Sequence, residues 1–338
     1  MKIAFIGAGR WAVALSLVLH RKGNEIKMWE YSEERLKELL KTRTLPDLPA
    51  NISIPTEIEI SNDLEYVLQS AQIIFFAIPS QALRSVLTKM SPFRFNTQEE
   101  KVLIKRPILV SAIKGLENNT NKRMSQIIKE FFPDLKVVVL AGPGIPYELA
   151  EGKPTSLVAA STDTFSALDI QTILSDQTLR VYTHHDVVGV ELGGALKNII
   201  AIAAGICDGL KLGDNAKSAL ITRGLAEITR LGVAMNANPL TFAGLSGIGD
   251  IIVTSYSRYS RNRLVGEMIA QGKEIKELER SLSGIAEGIS TIVSARALGA
   301  KMRLELPIIE EMYAILYKGA EINKSIKKLM ERTLKKEM

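Results

Sequence analysis

The residues of this 338-residue chain best suited to moving a proton lie in its second half. Lys197 stands in the middle of Asp186-Val-Val-Gly-Val-Glu-Leu-Gly-Gly-Ala-Leu-Lys-Asn-Ile-Ile-Ala-Ile-Ala-Ala-Gly-Ile, a run with helical periodicity. Its same-face neighbours are Gly193, Gly194, Ile200 and Ala201, mostly small. Small residues around a lysine leave room for a ligand and let another backbone come close. Partial burial would lower the lysine's pKa, which suits a general acid and base at a carbonyl oxygen. The same pattern also fits plain helix packing with the ammonium group snorkelling to water. Asn198, beside it, could orient the lysine or a substrate.

Three further groups could complete such a site. Asp250 follows three glycines in Gly244-Leu-Ser-Gly-Ile-Gly-Asp. It either caps the next helix or pairs with Lys197. Ser260-Arg261-Asn262 opens another helical run. A capping serine followed by Arg and Asn in the first turn offers amide groups and a guanidinium fork to a phosphate. Lys114 follows an apolar strand-like run. It either reaches over a cleft to a substrate oxygen or simply leaves a sheet into water.

The first half holds the elements that would position these groups. Apolar, β-rich runs at Lys2–Ile6, Glu25–Trp29, Gln72–Ile78, Pro107–Ile113 and Lys136–Ala141 predict strands, with weaker ones at Ser156–Ala160 and Thr178–Tyr182. Helical patterns such as Trp11–Arg21 and Glu33–Lys41 fall between them. The alternation predicts an α/β fold, a doubly wound and largely parallel sheet covered on both faces. Lys41–Ser61 contains Pro46, Pro49 and Pro55 and reads as loop or short edge strand. After His185 the pattern turns almost wholly helical. The expected division is 1–184 for a dinucleotide-binding domain and 185–338 for a helical substrate domain.

Gly7-Ala8-Gly9-Arg10-Trp11-Ala12 joins the first strand to the first helix and fits G-x-G-x-x-A, a dinucleotide-binding pattern. Gly7 permits the turn, Gly9 lets backbone approach a pyrophosphate, and Ala12 lets helix and strand pack closely. Glu30 ends the second strand, where a carboxylate can hold both ribose hydroxyls, so NAD is the favoured cofactor. Glu30 also reads as a solvated acid before the next helix, and Lys27 and Arg35 nearby leave NADP open. Ligands of open α/β sheets bind beyond the carboxyl ends of strands. Those ends carry Pro79-Ser80, Lys114-Gly115 and Gly142-Pro143-Gly144.

Composition narrows the function classes. Forty-three basic against 37 acidic residues give a net charge of +6. Lys327, Lys328, Arg332, Lys335 and Lys336 cluster near the end, interspersed with Glu331 and Glu337 and without aromatic residues, so a solvated helix face is expected rather than a nucleic-acid surface. The single cysteine, Cys207, rules out an internal disulfide and fits a reducing cytoplasm. The initial apolar run stops at Gly7, too short for a signal-peptide core, and the most apolar stretch, Ile199–Cys207, is too short for a membrane span. His20, His184 and His185 are not spaced as a metal site, and no metal is expected.

Several segments together resemble the NAD(P)-dependent glycerol-3-phosphate dehydrogenase family. They are Lys114-Gly115-Leu116-Glu117, Gly142-Pro143, Glu191–Asn198, Asn215-Ala216-Lys217, Arg223-Gly224, Gly244–Asp250 and Ser260-Arg261-Asn262-Arg263. Their order and spacing extend the resemblance over essentially the whole chain. It implies a Rossmann-type N-terminal domain, a C-terminal all-helical domain and a cytoplasmic homodimer that supplies glycerol 3-phosphate for phospholipid synthesis. It implies that Lys197 is the catalytic lysine, with Lys114 and Asp250 supporting it and binding substrate, and with Thr254 nearby. Arg261 and Asn262 would contact the substrate phosphate, beside Ser260, Asn198, Gly142 and Gly144. Gly7, Gly9, Arg10, Trp11, Glu30, Pro79, Lys114, Arg261 and Glu287 would line the cofactor. Two positions depart from the family's pattern. Gly144 and Ile145 replace a serine and an aromatic residue, and Ala12-Val13 follow Trp11 where smaller residues are usual. The alternatives are a related hydroxy-acid dehydrogenase, or a non-catalytic NAD-binding sensor that would not need Lys114, Lys197 and Asp250 together.

Overall fold

The computed structural model describes residues 1–46, 48–93, 106–273, 286–334, 336 and 337. Its first half is built around β1 (Lys2–Ile6), β2 (Glu25–Trp29), β3 (Glu59–Ser61), β4 (Ile73–Phe76), β5 (Ile108–Ser111), β6 (Val137–Ala141), β7 (Thr155–Ala160) and β8 (Leu179–His184). They form one sheet in the order β3-β2-β1-β4-β5-β6-β7-β8, parallel throughout except where β7 meets β6.

The two-residue period of a strand explains why these runs are apolar on both pleats. Ile3 and Phe5 of β1, with Ile73 and Phe75 of β4, pack on one face against α1 (Arg10–Arg21) and α2 (Glu33–Thr42). Ala4, Ile6, Ile74 and Phe76 pack on the other, against α3 (Leu64–Leu68), α4 (Leu83–Met90) and α5 (Met124–Phe131). Between β6 and β7 the chain holds only the short helix α6 (Pro146–Ala150), packed on α1. It re-enters the sheet from the end at which it left, so β7 runs backwards. The helix α7 (Thr164–Leu174) then allows a crossover to parallel β8. The proline-rich stretch ends in the edge strand β3, as its composition suggested.

After β8 the chain is helical: α8 (Val187–Gly209), α9 (Asp214–Ala234), α10 (Asp250–Tyr256), α11 (Arg261–Ala270), α12 (Glu287–Lys301), α13 (Pro307–Lys318) and α14 (Ile322–Met330). Asp186 caps α8 by accepting the Gly189 amide at 2.8 Å. By length and composition α8 could cross a bilayer, contrary to the expectation drawn from the shorter apolar stretch inside it. It is instead the buried axis of the helical half, with α9, α10, α11 and α12 around it. Its contact with α11 is backbone on backbone. A Cβ on Gly205 would stand 2.0 Å from the Arg263 carbonyl oxygen, and one on Gly266 2.0 Å from that of Ile202. The basic end of the chain is tied to acids: Lys328 to Glu311, Arg332 to Glu305 and Lys327 to Glu331. Lys335 lies outside the described residues.

Gly266→Ala must force α8 and α11 apart. Its denaturant midpoint should fall by the equivalent of about 1–3 kcal/mol at unchanged slope; an unchanged midpoint would refute the backbone contact.

Candidate active site

Three elements converge on one carboxylate. The loop after β5 brings Lys114, the middle of α8 brings Lys197, and the start of α10 brings Asp250. A turn of π-helix, Leu245–Gly249, feeds directly into Asp250. Asp250 is fully buried, and its two oxygens are divided between the lysines. Lys197 Nζ donates to Oδ1 at 2.8 Å and Lys114 Nζ to Oδ2 at 2.6 Å. Lys197 also donates to Thr254 Oγ1, one turn along α10 at 2.5 Å, and Lys114 to the Gly142 carbonyl at 2.8 Å. Of the two readings of Asp250, pairing is the one the fold adopts.

The expected small residues beside Lys197 do bring other chain segments close. A Cβ on Gly193 would lie 2.5 Å from the Ser246 carbonyl oxygen, and one on Gly194 3.2 Å from Ala141 Cβ of the sheet. Lys197 is therefore buried rather than snorkelling. Burial pushes its pKa down to about 8; the Asp250 charge opposes this and the Lys114 charge adds to it. Burial also acts to raise the Asp250 pKa, but the two ammonium groups outweigh it and hold the carboxyl below its usual range.

A line of side-chain amides braces the lysines. The Gly288 amide donates to Asn262 Oδ1 at 3.1 Å, Asn262 Nδ2 to Asn198 Oδ1 at 2.9 Å, and Asn198 Nδ2 to the Lys114 carbonyl at 3.1 Å. It ties the starts of α12 and α11 to α8 and the sheet. Ser260 caps α11, its Oγ accepting the Arg263 amide at 3.2 Å. Arg261 follows on the cavity wall, at a helix start whose first amide groups have no partner within the helix. Around the lysines a single carboxylate, Asp250, meets two ammonium groups, which leaves positive charge there for an anion.

All of this faces a cavity of about 620 Å³. Gly9, Arg10, Trp11, Pro79, Lys114, Gly144, Lys197, Asn198, Thr254, Ser260, Arg261, Asn262 and Glu287 line it. Gly7, Glu30, Gly142 and Asp250 stand behind its wall. Gly7 holds a φ of +109° in the turn under the cavity floor. Glu30 accepts the Ser32 amide at 3.1 Å and faces Arg35 Nε at 3.6 Å, so Arg35 rather than Glu30 meets the cavity. The dinucleotide fits the glycine turn on two counts. Among the described residues, no heavy atom beyond the adjoining chain lies within 4 Å of where a Cβ on Gly9 would be and no side chain caps α1, leaving its first amides for a phosphate. Glu287 takes the Ser80 amide at 2.9 Å and the Ser80 hydroxyl at 2.5 Å. Burial raises its pKa against these bonds and the charge of Arg261.

Gly144 gains a physical account. Trp11 Cη2 lies 2.6 Å from the position a Cβ on residue 144 would take, so the indole fills the room of the family's serine. Residue spacing gave no hint of Tyr147 and Tyr259, which stack at 4.2 Å on the cavity wall, one from each half of the chain. In the sequence Arg35 stands out only as a cation that leaves NADP open, and Ser80 only as the neighbour of Pro79. Their part follows from the way α2 and the turn after β4 fold back over the strand ends.

Comparison with known proteins agrees with this geometry. The family model described as NAD-dependent glycerol-3-phosphate dehydrogenase N-terminus matches residues 2–167, and that of its C-terminus matches residues 186–327. The chain is 42% identical to a glycerol-3-phosphate dehydrogenase [NAD(P)+] of Thermoanaerobacter sp., over 100% of this chain and 99% of the relative. It is 43% identical to that of Pelotomaculum thermopropionicum, over 100% and 95%. The crystal structure of glycerol-3-phosphate dehydrogenase from Coxiella burnetii superposes with a TM-score of 0.91 at 32% identity, covering 98% of this chain and 99% of that one. With both domain models matched in order and the paired lysines of the resemblance gathered on one buried carboxylate, the chain belongs to the NAD(P)-dependent glycerol-3-phosphate dehydrogenase family.

Proposed function

We propose that the enzyme interconverts sn-glycerol 3-phosphate and dihydroxyacetone phosphate with NAD(P), and so supplies glycerol 3-phosphate for phospholipid synthesis. The observation that carries this reading is Lys197, buried on Asp250 with its pKa lowered to about 8, in one cavity with the glycine turn and the Ser260-Arg261-Asn262 helix start.

The bound nicotinamide would give or take the hydride at the substrate's secondary carbon. In reduction, the Lys197 ammonium protonates the ketone oxygen; in oxidation, the neutral amine takes the hydroxyl proton. Asp250 steadies the ammonium form and fixes the aim of both lysines. Lys114 is the second donor at the substrate oxygens. Arg261 and the α11 start hold the phosphate, and Asn198 and Asn262 keep helix and lysine in register. Gly7, Gly9, Arg10, Trp11, Glu30, Pro79 and Glu287 serve the cofactor. Residues 1–184 act as the cofactor domain and 185–338 as the substrate domain. The same reading makes the enzyme a cytoplasmic homodimer. Exposed apolar side chains such as Leu240 and Ile252 leave surface for a second copy, and the lone cysteine suits a reducing compartment.

NADH oxidation with dihydroxyacetone phosphate, run beside a 3-keto acid, tests the substrate: turnover with the keto acid alone would reject the phosphate ester. Lys197→Met should lower kcat by at least about a hundredfold while NADH still binds; comparable turnover would remove Lys197 from the chemistry.

The free-enzyme pH profile gives a second check. Glycerol 3-phosphate oxidation should rise with pH through about 8, as Lys197 loses its proton, and ketone reduction should fall over the same range. Flat profiles across that range would contradict the role.

Asp250→Asn leaves two ammonium groups without their shared counter-charge. It should destabilise the fold by about 3–5 kcal/mol and move the Lys197 limb to lower pH. A limb that stays in place would mean that Asp250 does not hold the lysine.

A further inference from the structure

The ribose of a dinucleotide at a G-x-G-x-x-A turn lies beside the end of the second strand. A carboxylate there selects two hydroxyls, and an arginine accommodates a 2′-phosphate. Here both residues are present and already in contact. Glu30 directly follows β2 with its side chain only 9% exposed, one oxygen held by the Ser32 amide and the other facing Arg35 Nε at 3.6 Å. Arg35, in the first turn of α2 with its side chain 45% exposed, also reaches the Ala8 carbonyl inside the glycine turn at 3.4 Å. The guanidinium thus stands between the carboxylate and the cavity.

Both Arg35 contacts are long for hydrogen bonds, and the guanidinium side of the pair is nearly half exposed to water, so it is held weakly. The group can be redirected at little cost. Arg10 adds a second cation to this wall and Glu38 a carboxylate, so a phosphate arriving there depends on the arginines.

The geometry points to Arg35 as the residue that admits NADP, by turning from Glu30 to the 2′-phosphate. This rests on the cavity being the dinucleotide site and needs no assumption about the second substrate.

Fluorescence titration of the full chain with NADPH and with NADH, substrate absent, tests it. For Arg35→Leu, the NADPH Kd should rise by about tenfold or more while that of NADH stays within about twofold; Arg35→Lys should lose less. Unchanged NADH binding shows that the variant is folded. Equal changes for both cofactors, no change for either, or a wild type that binds NADH but not NADPH would overturn the assignment to Arg35. Failure of the wild type to bind either cofactor would overturn the dinucleotide reading with it.

Discussion

One buried carboxylate governs the layout of the active site. Removing an ion from water costs several kcal/mol, and Asp250 recovers this only because two ammonium groups reach it with short, direct bonds. Each lysine comes from a different part of the fold, one from the loop after β5 and one from the central helix. The pairing therefore does more than set a charge state: it fixes where the helical half sits against the strand ends. The π turn before α10 and the glycines of α8 serve the same end, since both let backbones meet closely enough for the carboxylate to be shared.

The line of amides adds precision without charge. Asn198 and Asn262 spend much of their hydrogen-bonding capacity on each other, on Gly288 and on Lys114. A neutral network of this kind keeps its geometry over pH ranges in which the lysines titrate. The cavity thus has one part that changes charge and another that does not.

The sheet and its helical cover were legible because buried parallel strands must be apolar on both pleats, and the crossover helices leave a regular rhythm. The order of reactive groups at the strand ends followed from the same logic. Other features depend on distances that no local pattern encodes. The reversal of β7 turns on how little helix α6 offers. The choice between capping and pairing for Asp250 needed the position of a lysine 53 residues away. Tyr147 and Tyr259 come from opposite halves, and Glu30 could be seen to lie behind Arg35 only once α2 was placed. Gly144, a gap in the family's pattern, is explained by the Trp11 ring rather than by anything adjacent in sequence.

The apolar character of α8 has a consequence during synthesis. The helix leaves the ribosome before α9 to α12 exist to cover it, so for that interval the chain carries in water a segment long and apolar enough to cross a membrane. Lys197 interrupts it near the middle, where a charge is costliest to place in lipid. The side chain best placed to carry a proton thus also biases the nascent segment toward folding in water and away from insertion.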